Sequence, residues 1–214
     1  MKARTTAVLS AFIFLSFFGV TAAKADTITF ASTGAGQSNS MGATIAVTPD
    51  AAWLNAIPGS SWVSFAATGN TKGAGFVEVP NGTTVSFYDS FTLAGPATSG
   101  TLTIMADDTA TILLNGVALA TATQPAGTTP SCWAFSSGCL SPTTISLPTN
   151  LLQAGVNTLT FEVEQLGGAS FGLDYLGSVV DPPVNASEPA AGLMLAVGLL
   201  GLAALSVRRQ MFES

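Results

Sequence analysis

Apolar and polar residues alternate along four short segments in the middle of the chain. Such a period of two is typical of a strand with one buried face. The segments are 85–93, 101–106, 158–164 and 171–175. Within segment 85–93 the alternation is interrupted by Asp89. The pattern contains no long helical period, so it predicts an all-β domain over residues 26–180.

A two-residue turn is predicted at Asn115 and Gly116, which lie between two apolar runs. Both residues tolerate a positive φ, so this is the strongest hairpin signal in the chain. Many short strands joined by turns of Gly, Pro and Asn favour two packed antiparallel sheets, as in a jelly roll or a related β-sandwich. A single β-barrel is the nearest alternative.

The first 25 residues have the pattern of a signal peptide. Two basic residues precede an apolar run over 7–20. Ala23 and Ala25 supply the small residues that signal peptidase reads, so we expect cleavage before Asp26. The chain is therefore expected to be exported.

A second apolar segment lies near the C-terminus. Residues 190–207 carry no charge, and as a helix they would span about 27 Å, close to the hydrocarbon thickness of a bilayer. The sequence predicts a single transmembrane helix there. A linker with the sorting motif over 181–189 precedes it, and a basic cytoplasmic tail over 208–214 follows.

The motif Ser187-Glu188-Pro189, the apolar helix and the pair Arg208-Arg209 together resemble the PEP-CTERM sorting signal of Gram-negative bacteria. Ser187 stands where that family has the first proline of its tripeptide. The resemblance implies an exosortase-type enzyme as a partner. It also implies display at the cell envelope or release into an extracellular matrix of exopolysaccharide, after initial anchoring in the inner membrane.

The central domain resembles galactose-binding-like sandwiches of secreted bacterial proteins. The resemblance rests on segments 87–93, 101–116 and 152–163, with their Asp-Asp, Asn-Gly and Gly-x-Asn turns. It implies a β-sandwich fold, whereas a ligand has to be argued from a site.

Composition excludes several functions. Charged residues make up 8% of the chain against 48% hydrophobic. Between residues 26 and 187 there are ten acidic residues and one lysine, a net charge of −9. Nucleic acid is excluded as a partner because neutralising phosphates requires clustered Lys and Arg. The absence of His removes the commonest general base and every Ser-His or Cys-His nucleophile pair.

Cys132 and Cys139 are the two cysteines of the chain. In an exported protein we expect them to form a structural disulfide. Trp133 would lie in the small loop that this bond closes, where it is the preferred exposed aromatic for carbohydrate contact.

Asp107 and Asp108 lie where one predicted strand ends and the next begins. Carboxylates at such a turn could ligate Ca²⁺, although Asp also forms turns without any metal. Calcium is the one cofactor that the sequence suggests.

Two further sets of residues have alternative interpretations. Glu162 and Glu164 share a strand face, and a carboxylate pair is the minimum requirement of a glycosidase, but a solvated strand face explains them better. Trp53 and Trp62 could contact sugar rings, yet packing is the better interpretation.

The sequence thus predicts an exported, non-enzymatic surface or matrix protein that contacts exopolysaccharide. Two alternatives stay open. One is a glycan-cleaving enzyme that uses acidic residues, and the other is a structural protein that assembles with copies of itself.

Overall fold

The computed structural model describes residues 25–120 and 139–181, together with Gly198. The described residues form two antiparallel sheets of six strands each, which confirms the predicted all-β class and two-sheet architecture. The strands are β1 (Asp26–Ala31), β2 (Ser38–Asn39), β3 (Gly42–Ala43), β4 (Ile45–Ala46), β5 (Val63–Ser64), β6 (Thr84–Leu93), β7 (Ser99–Asp107), β8 (Thr109–Leu114), β9 (Val117–Ala120), β10 (Thr143–Ser146), β11 (Gly155–Glu164) and β12 (Gly172–Asp181).

The two sheets have different orders of strands. Sheet A runs β10-β7-β12-β5-β4, with β1 also paired to β12, and sheet B runs β3-β2-β6-β11-β8-β9. The longest ladder of sheet B joins β6 to β11 over ten residue pairs. Strand pairing in sheet B is therefore most extensive between β6 and β11. The short β2 pairs with the other edge of β6.

The core lies between the sheets and is formed by the apolar residues of the alternating segments. Leu159, Phe161 and Val163 of β11 are fully buried, as the pattern predicts. The ring of Phe161 stacks on that of Tyr175 from sheet A, with 4.3 Å between the ring centroids. Burial of such side chains contributes about 1.5–3 kcal/mol each. The apolar residues at alternating positions therefore stabilise the packing of one sheet on the other.

The hairpin at Asn115 and Gly116 is confirmed. These residues connect β8 to β9 with φ values of 51° and 80°. The side chain of Asn115 is itself bonded, since its amide donates to the carbonyl of Leu151 at 2.8 Å and its oxygen accepts from the amide of Thr158 at 2.8 Å. The turn is thereby fixed to β11.

A second apolar layer covers one end of the outer face of sheet A. Trp53 and Trp62 pack there with Met105 and Cys139, and the centroids of the two indole rings are 4.3 Å apart. Gly172 leaves the space for this layer, since a Cβ at that position would lie 2.8 Å from the ring of Trp53. The interpretation of both tryptophans as packing residues agrees with their burial.

Asp174 holds the loop that carries these tryptophans. Its carboxylate is fully buried. It accepts hydrogen bonds from the backbone amide of Ile57 at 2.7 Å and from the hydroxyls of Ser32 and Ser60. Burial raises the pKa of Asp174, and these donors oppose that shift. The buried carboxylate of Asp174 therefore has a structural role, because it attaches this loop to the outer face of sheet A.

One predicted boundary is wrong by a residue. The sequence predicts Asp181 in the linker, but it is the last residue of β12, where it pairs with Asp26. Its buried carboxylate accepts from the backbone amides of Ala94 and Gly95. These two bonds hold Asp181 within the folded domain. They cannot be predicted from a pattern of apolar residues.

The predicted signal peptide, sorting motif, transmembrane helix and basic tail lie outside the described residues, except for Ala25 and Gly198. Within the described part of the chain, no helix has the length and apolar character needed to cross a membrane.

Candidate functional site

A hollow of about 420 Å³ opens on the solvent side of sheet B. Pockets that bind small ligands have volumes of this order. The hollow lies where β2, β6 and β11 run side by side. Its lining includes Gln37, Ser38, Tyr88, Asp89, Ser90 and Thr160.

The alternation of β6 and β11 creates this surface. Because every second residue of each strand points to the core, the intervening ones point to solvent. Ser90 lies opposite Thr158, and Tyr88 lies opposite Thr160. Ser38 of β2 pairs with Tyr88 from the other side. One exposed aromatic ring is thus surrounded by four hydroxyl groups from three strands.

Asp89 explains the interruption in the sequence pattern of β6. It occupies a position of the core-facing register but is half-buried at the hollow. Its Oδ2 accepts a hydrogen bond of 2.7 Å from the phenol of Tyr175, which belongs to the opposite sheet. Its Oδ1 accepts one of 2.8 Å from the amide of Ser90. The carboxylate is therefore held in one orientation.

Gln37 closes the rim of the hollow. Its side-chain amide donates to the phenol oxygen of Tyr175 at 2.7 Å and to the carbonyl of Ala31 at 2.9 Å. Its oxygen accepts from the amides of Thr33 and Gly34, each at 3.0 Å. A side chain with four such bonds is fixed in place, so this part of the hollow is preorganised.

Tyr175 stays protonated and acts as a donor. Burial raises its pKa well above the usual range, and the charge and hydrogen bond of Asp89 add to that shift. Tyr175 therefore keeps the proton that it donates to Asp89 Oδ2.

A hollow of this composition suits a polyhydroxylated ligand. The hydroxyls of Ser38, Ser90, Thr158 and Thr160 can hydrogen-bond sugar hydroxyls, while the face of the Tyr88 ring offers a flat apolar surface. Tyr88 is 44% exposed, so its ring is accessible. Asp89 is the one acidic residue among the described residues that line the hollow.

A second groove, of about 260 Å³, lies beside β4. It is lined by Ile45, Ala46 and Val47 on one side and by residues between 67 and 76 on the other. None of the described residues that line it is charged. It therefore offers fewer groups that could orient a polar ligand than the hollow on sheet B does.

The predicted calcium ligands, Asp107 and Asp108, are buried next to one another. Asp107 accepts from the indole nitrogen of Trp53 at 2.8 Å, and Asp108 accepts from the amide of Leu166 at 2.7 Å. Burial, and then the charge of Asp108, raise the pKa of Asp107 to about 8. A proton shared between the carboxylates can therefore offset their repulsion near neutral pH.

Calcium at this pair stays a prediction. Ca²⁺ takes six to eight oxygen ligands. Thr109 follows the pair in sequence, and its buried Oγ1 makes no hydrogen bond to any described residue. Among the described residues, however, no group of three or more Asp, Glu, His or Cys side chains could hold a metal ion. The donor set thus fits calcium only in part.

The other predicted site residues are placed as follows. Glu162 is exposed and Glu164 half-buried on the solvent side of β11, and neither lines the hollow. Cys139 is buried and is not a free thiol. Cys132 and Trp133 lie outside the described residues, so the disulfide between the cysteines and the contact of Trp133 with carbohydrate stay predictions.

Sequence reasoning missed the residues that form the hollow. Tyr88, Asp89 and Gln37 were not proposed as site residues. The interruption of the alternation at Asp89 was the one available signal, because a carboxylate at a core-facing position requires donors from elsewhere.

The chain is only distantly similar to known proteins. No family model matches the chain, and no curated protein matches it. A family 35 carbohydrate-binding module from Clostridium thermocellum has a TM-score of 0.38 and 14% identity, over 71% of this chain and 97% of that one. A CBM35 from Paenibacillus barcinonensis has a TM-score of 0.37 and 14% identity, over 70% of this chain and 95% of that one.

A third similar structure is an exo-β-1,3-galactanase from Phanerochaete chrysosporium. Its TM-score is 0.35 with 15% identity, over 70% of this chain and 28% of that one. Similarities at this level assign no ligand to the chain, so its function has to be argued from its own residues.

Proposed function

We propose that this chain is an exported, non-catalytic protein whose β-sandwich binds a glycan in the hollow on sheet B. The observation that carries the proposal is the exposed ring of Tyr88 among four hydroxyl groups that are carried by three paired strands. Preorganised polar groups around a flat apolar surface are what binding a sugar ring requires, since little freedom is then lost on binding.

Binding without cleavage is supported by the positions of the carboxylates. Glycoside hydrolysis usually needs two carboxyl groups on either side of the scissile bond. The hollow is lined by one, Asp89, and both of its oxygens already accept hydrogen bonds. Glu162 and Glu164 extend from one strand and do not flank the hollow.

Export and sorting are proposed from the two ends of the chain. The signal peptide with Ala23 and Ala25 would direct the protein across the inner membrane. The PEP-CTERM-like tail from Ser187 onward would then bring it to an exosortase-type enzyme. A protein displayed in this way would meet the exopolysaccharide outside the cell. The mass of the mature protein, isolated from its host, would report both cleavages.

The test of glycan binding is a glycan array probed with the full-length chain, in a detergent without a sugar headgroup. Wild-type protein should bind at least one class of glycan, and Tyr88→Ala should lower that binding about tenfold or more. Val156→Ala is the matched control, because Val156 is 59% exposed on the same face of sheet B but does not line the hollow. Equal binding by wild type and Tyr88→Ala would refute the proposed site.

A further inference from the structure

The described side chains that line the hollow from the solvent face of sheet B are uncharged. They are those of Ser38, Tyr88, Ser90, Thr158 and Thr160. Each of them carries a hydroxyl group, which can both donate and accept a hydrogen bond. Sugar hydroxyls have the same property. The hollow and a neutral sugar can therefore satisfy one another without moving a charge out of water.

Asp89 does not place its carboxylate on that face. It lies opposite Leu159, at a core-facing position of β6. The carboxylate accepts hydrogen bonds from the phenol of Tyr175, which belongs to the other sheet, and from the backbone amide of Ser90. The acidic group is thus engaged by the protein itself, whereas a ligand on the solvent face meets hydroxyl groups.

Positive charge is almost absent from the domain. Lys72 is the one basic residue between positions 25 and 207. It is exposed in the loop between β5 and β6, where its backbone amide donates to the side chain of Asn70, and it does not line the hollow. Residues 26–187 have a net charge of −9. A carboxylate that entered the hollow would therefore lose water without gaining a cation, in the field of a negative domain.

The ring of Tyr88 adds to this discrimination. The face of an aromatic ring is negative and its edge is positive. The weakly positive C–H groups on one side of a sugar ring pack favourably on such a face, whereas a carboxylate held over it is repelled. Tyr88 is 44% exposed, so a ligand in the hollow can reach its ring.

We infer that the hollow selects glycans whose sugar units are uncharged and excludes the corresponding uronic acids. This inference rests on the proposed function and names the class of glycan for the same site. A neutral hexose pairs with the hydroxyl groups and packs on Tyr88. The carboxylate of a uronic acid finds neither a cation nor a favourable ring face there. An uncharged exopolysaccharide is therefore the expected ligand.

The experiment is binding of the full-length chain to matched pairs of oligosaccharides on the glycan array. Each pair consists of a neutral oligomer of glucose, galactose or mannose and the same oligomer with its primary hydroxyls oxidised to carboxylates. At low salt, the oxidised member should bind about tenfold more weakly than the neutral member of the same pair. Added salt should narrow this difference, because it screens the repulsion, and should leave binding of the neutral member unchanged.

Two lysine variants of β6 distinguish the hollow from the charge of the whole domain. Ser90→Lys places a cation in the hollow. Thr84→Lys makes the same change of net charge on the same exposed strand face, about 20 Å further along the strand and outside the hollow.

Calorimetric titration with the pair that binds best on the array would compare these variants at about 0.1 M salt, where screening acts over about 10 Å. Ser90→Lys should lower the ratio of the neutral to the oxidised affinity about tenfold, because the carboxylate gains a partner. Thr84→Lys should keep the wild-type ratio within about twofold, because its cation lies beyond the screening length.

The other outcomes separate the inference from the proposed function. Equal or tighter binding of the oxidised member of a pair, or binding confined to charged glycans, would overturn the selectivity and leave glycan binding intact. The same ratio in both lysine variants would also overturn the selectivity, because the exclusion would then not depend on the charge at the hollow. A blank array would overturn both the inference and the proposed function.

Discussion

The phenol of Tyr175 donates a 2.7 Å hydrogen bond to the carboxylate of Asp89, and this bond joins the two sheets at the hollow. Tyr175 belongs to β12 of sheet A and Asp89 to β6 of sheet B. The ring of Tyr175 meanwhile stacks on Phe161 in the core. The candidate site is thus fixed directly to the packed interior of the domain.

Replacement of this phenol tests the connection. Tyr175→Phe should lower the free energy of unfolding by about 1–3 kcal/mol, because a half-buried carboxylate loses a donor while the stacked ring is retained. Urea denaturation would measure the loss. Tyr88→Phe removes an exposed hydroxyl and should change stability by less than about 0.5 kcal/mol. Equal stabilities of Tyr175→Phe and wild type would show that the bond does not stabilise the fold.

The buried pair Asp107 and Asp108 predicts a dependence of stability on pH. Asp107 has a pKa of about 8 in the native state, against 3.8 as its ordinary value. Native protein therefore keeps a proton that unfolded chain releases between about pH 4 and pH 8. The free energy of unfolding should fall as pH rises through this window, by at most about 1.4 kcal/mol per pH unit.

The variant Asp107→Asn should remove most of this slope. Its side-chain oxygen can still accept from the indole nitrogen of Trp53, so the loop stays attached. Urea denaturation at several pH values would measure the slope, with Glu78→Gln as an exposed acid for comparison. A slope that is the same in wild type and Asp107→Asn would place the responsible group elsewhere.

Calcium at the same pair can be tested separately. A bound cation would replace the shared proton, so Ca²⁺ should raise the melting temperature most at pH above 8, and Asp108→Asn should abolish that rise. Scanning calorimetry with excess Ca²⁺ or a chelator would decide. Identical melting temperatures with Ca²⁺ and with the chelator would refute calcium binding at this pair. The shared proton would then be the explanation for the two buried carboxylates.

Gly177 provides a test of packing between β1 and β12. A Cβ at this position would overlap the ring of Phe30, which stacks on Phe91 with 4.5 Å between the centroids. Gly177→Ala should therefore destabilise the domain by about 1–3 kcal/mol. Adding Phe30→Leu should restore part of this loss in urea denaturation. A wild-type stability for Gly177→Ala would mean that the ring can move aside without cost.

The strands could be predicted from the sequence because their information is local. Alternation identified the buried residues of β7, β11 and β12, and the Asn115-Gly116 turn identified a hairpin. These features depend on neighbours two to five residues apart, whereas the order of the strands in each sheet does not follow from them.

The site depends on contacts across the whole chain, which a local pattern does not report. Asp89 and Tyr175 are 86 positions apart. The outer face of β12 reads as a solvated face, yet Asp174 is buried there because the loop with Trp53 and Trp62 covers it. For the same reason Asp107, which lies at the predicted turn between two strands, is buried beneath Trp53.

The most direct test of the proposed site is to map the bound glycan by NMR. Backbone amide shifts of the isotope-labelled full-length chain would be followed as an oligosaccharide identified on the array is added. The proposal predicts that the largest changes occur at Tyr88, Asp89, Thr158 and Thr160. Changes confined to sheet A, or to the groove beside β4, would contradict it.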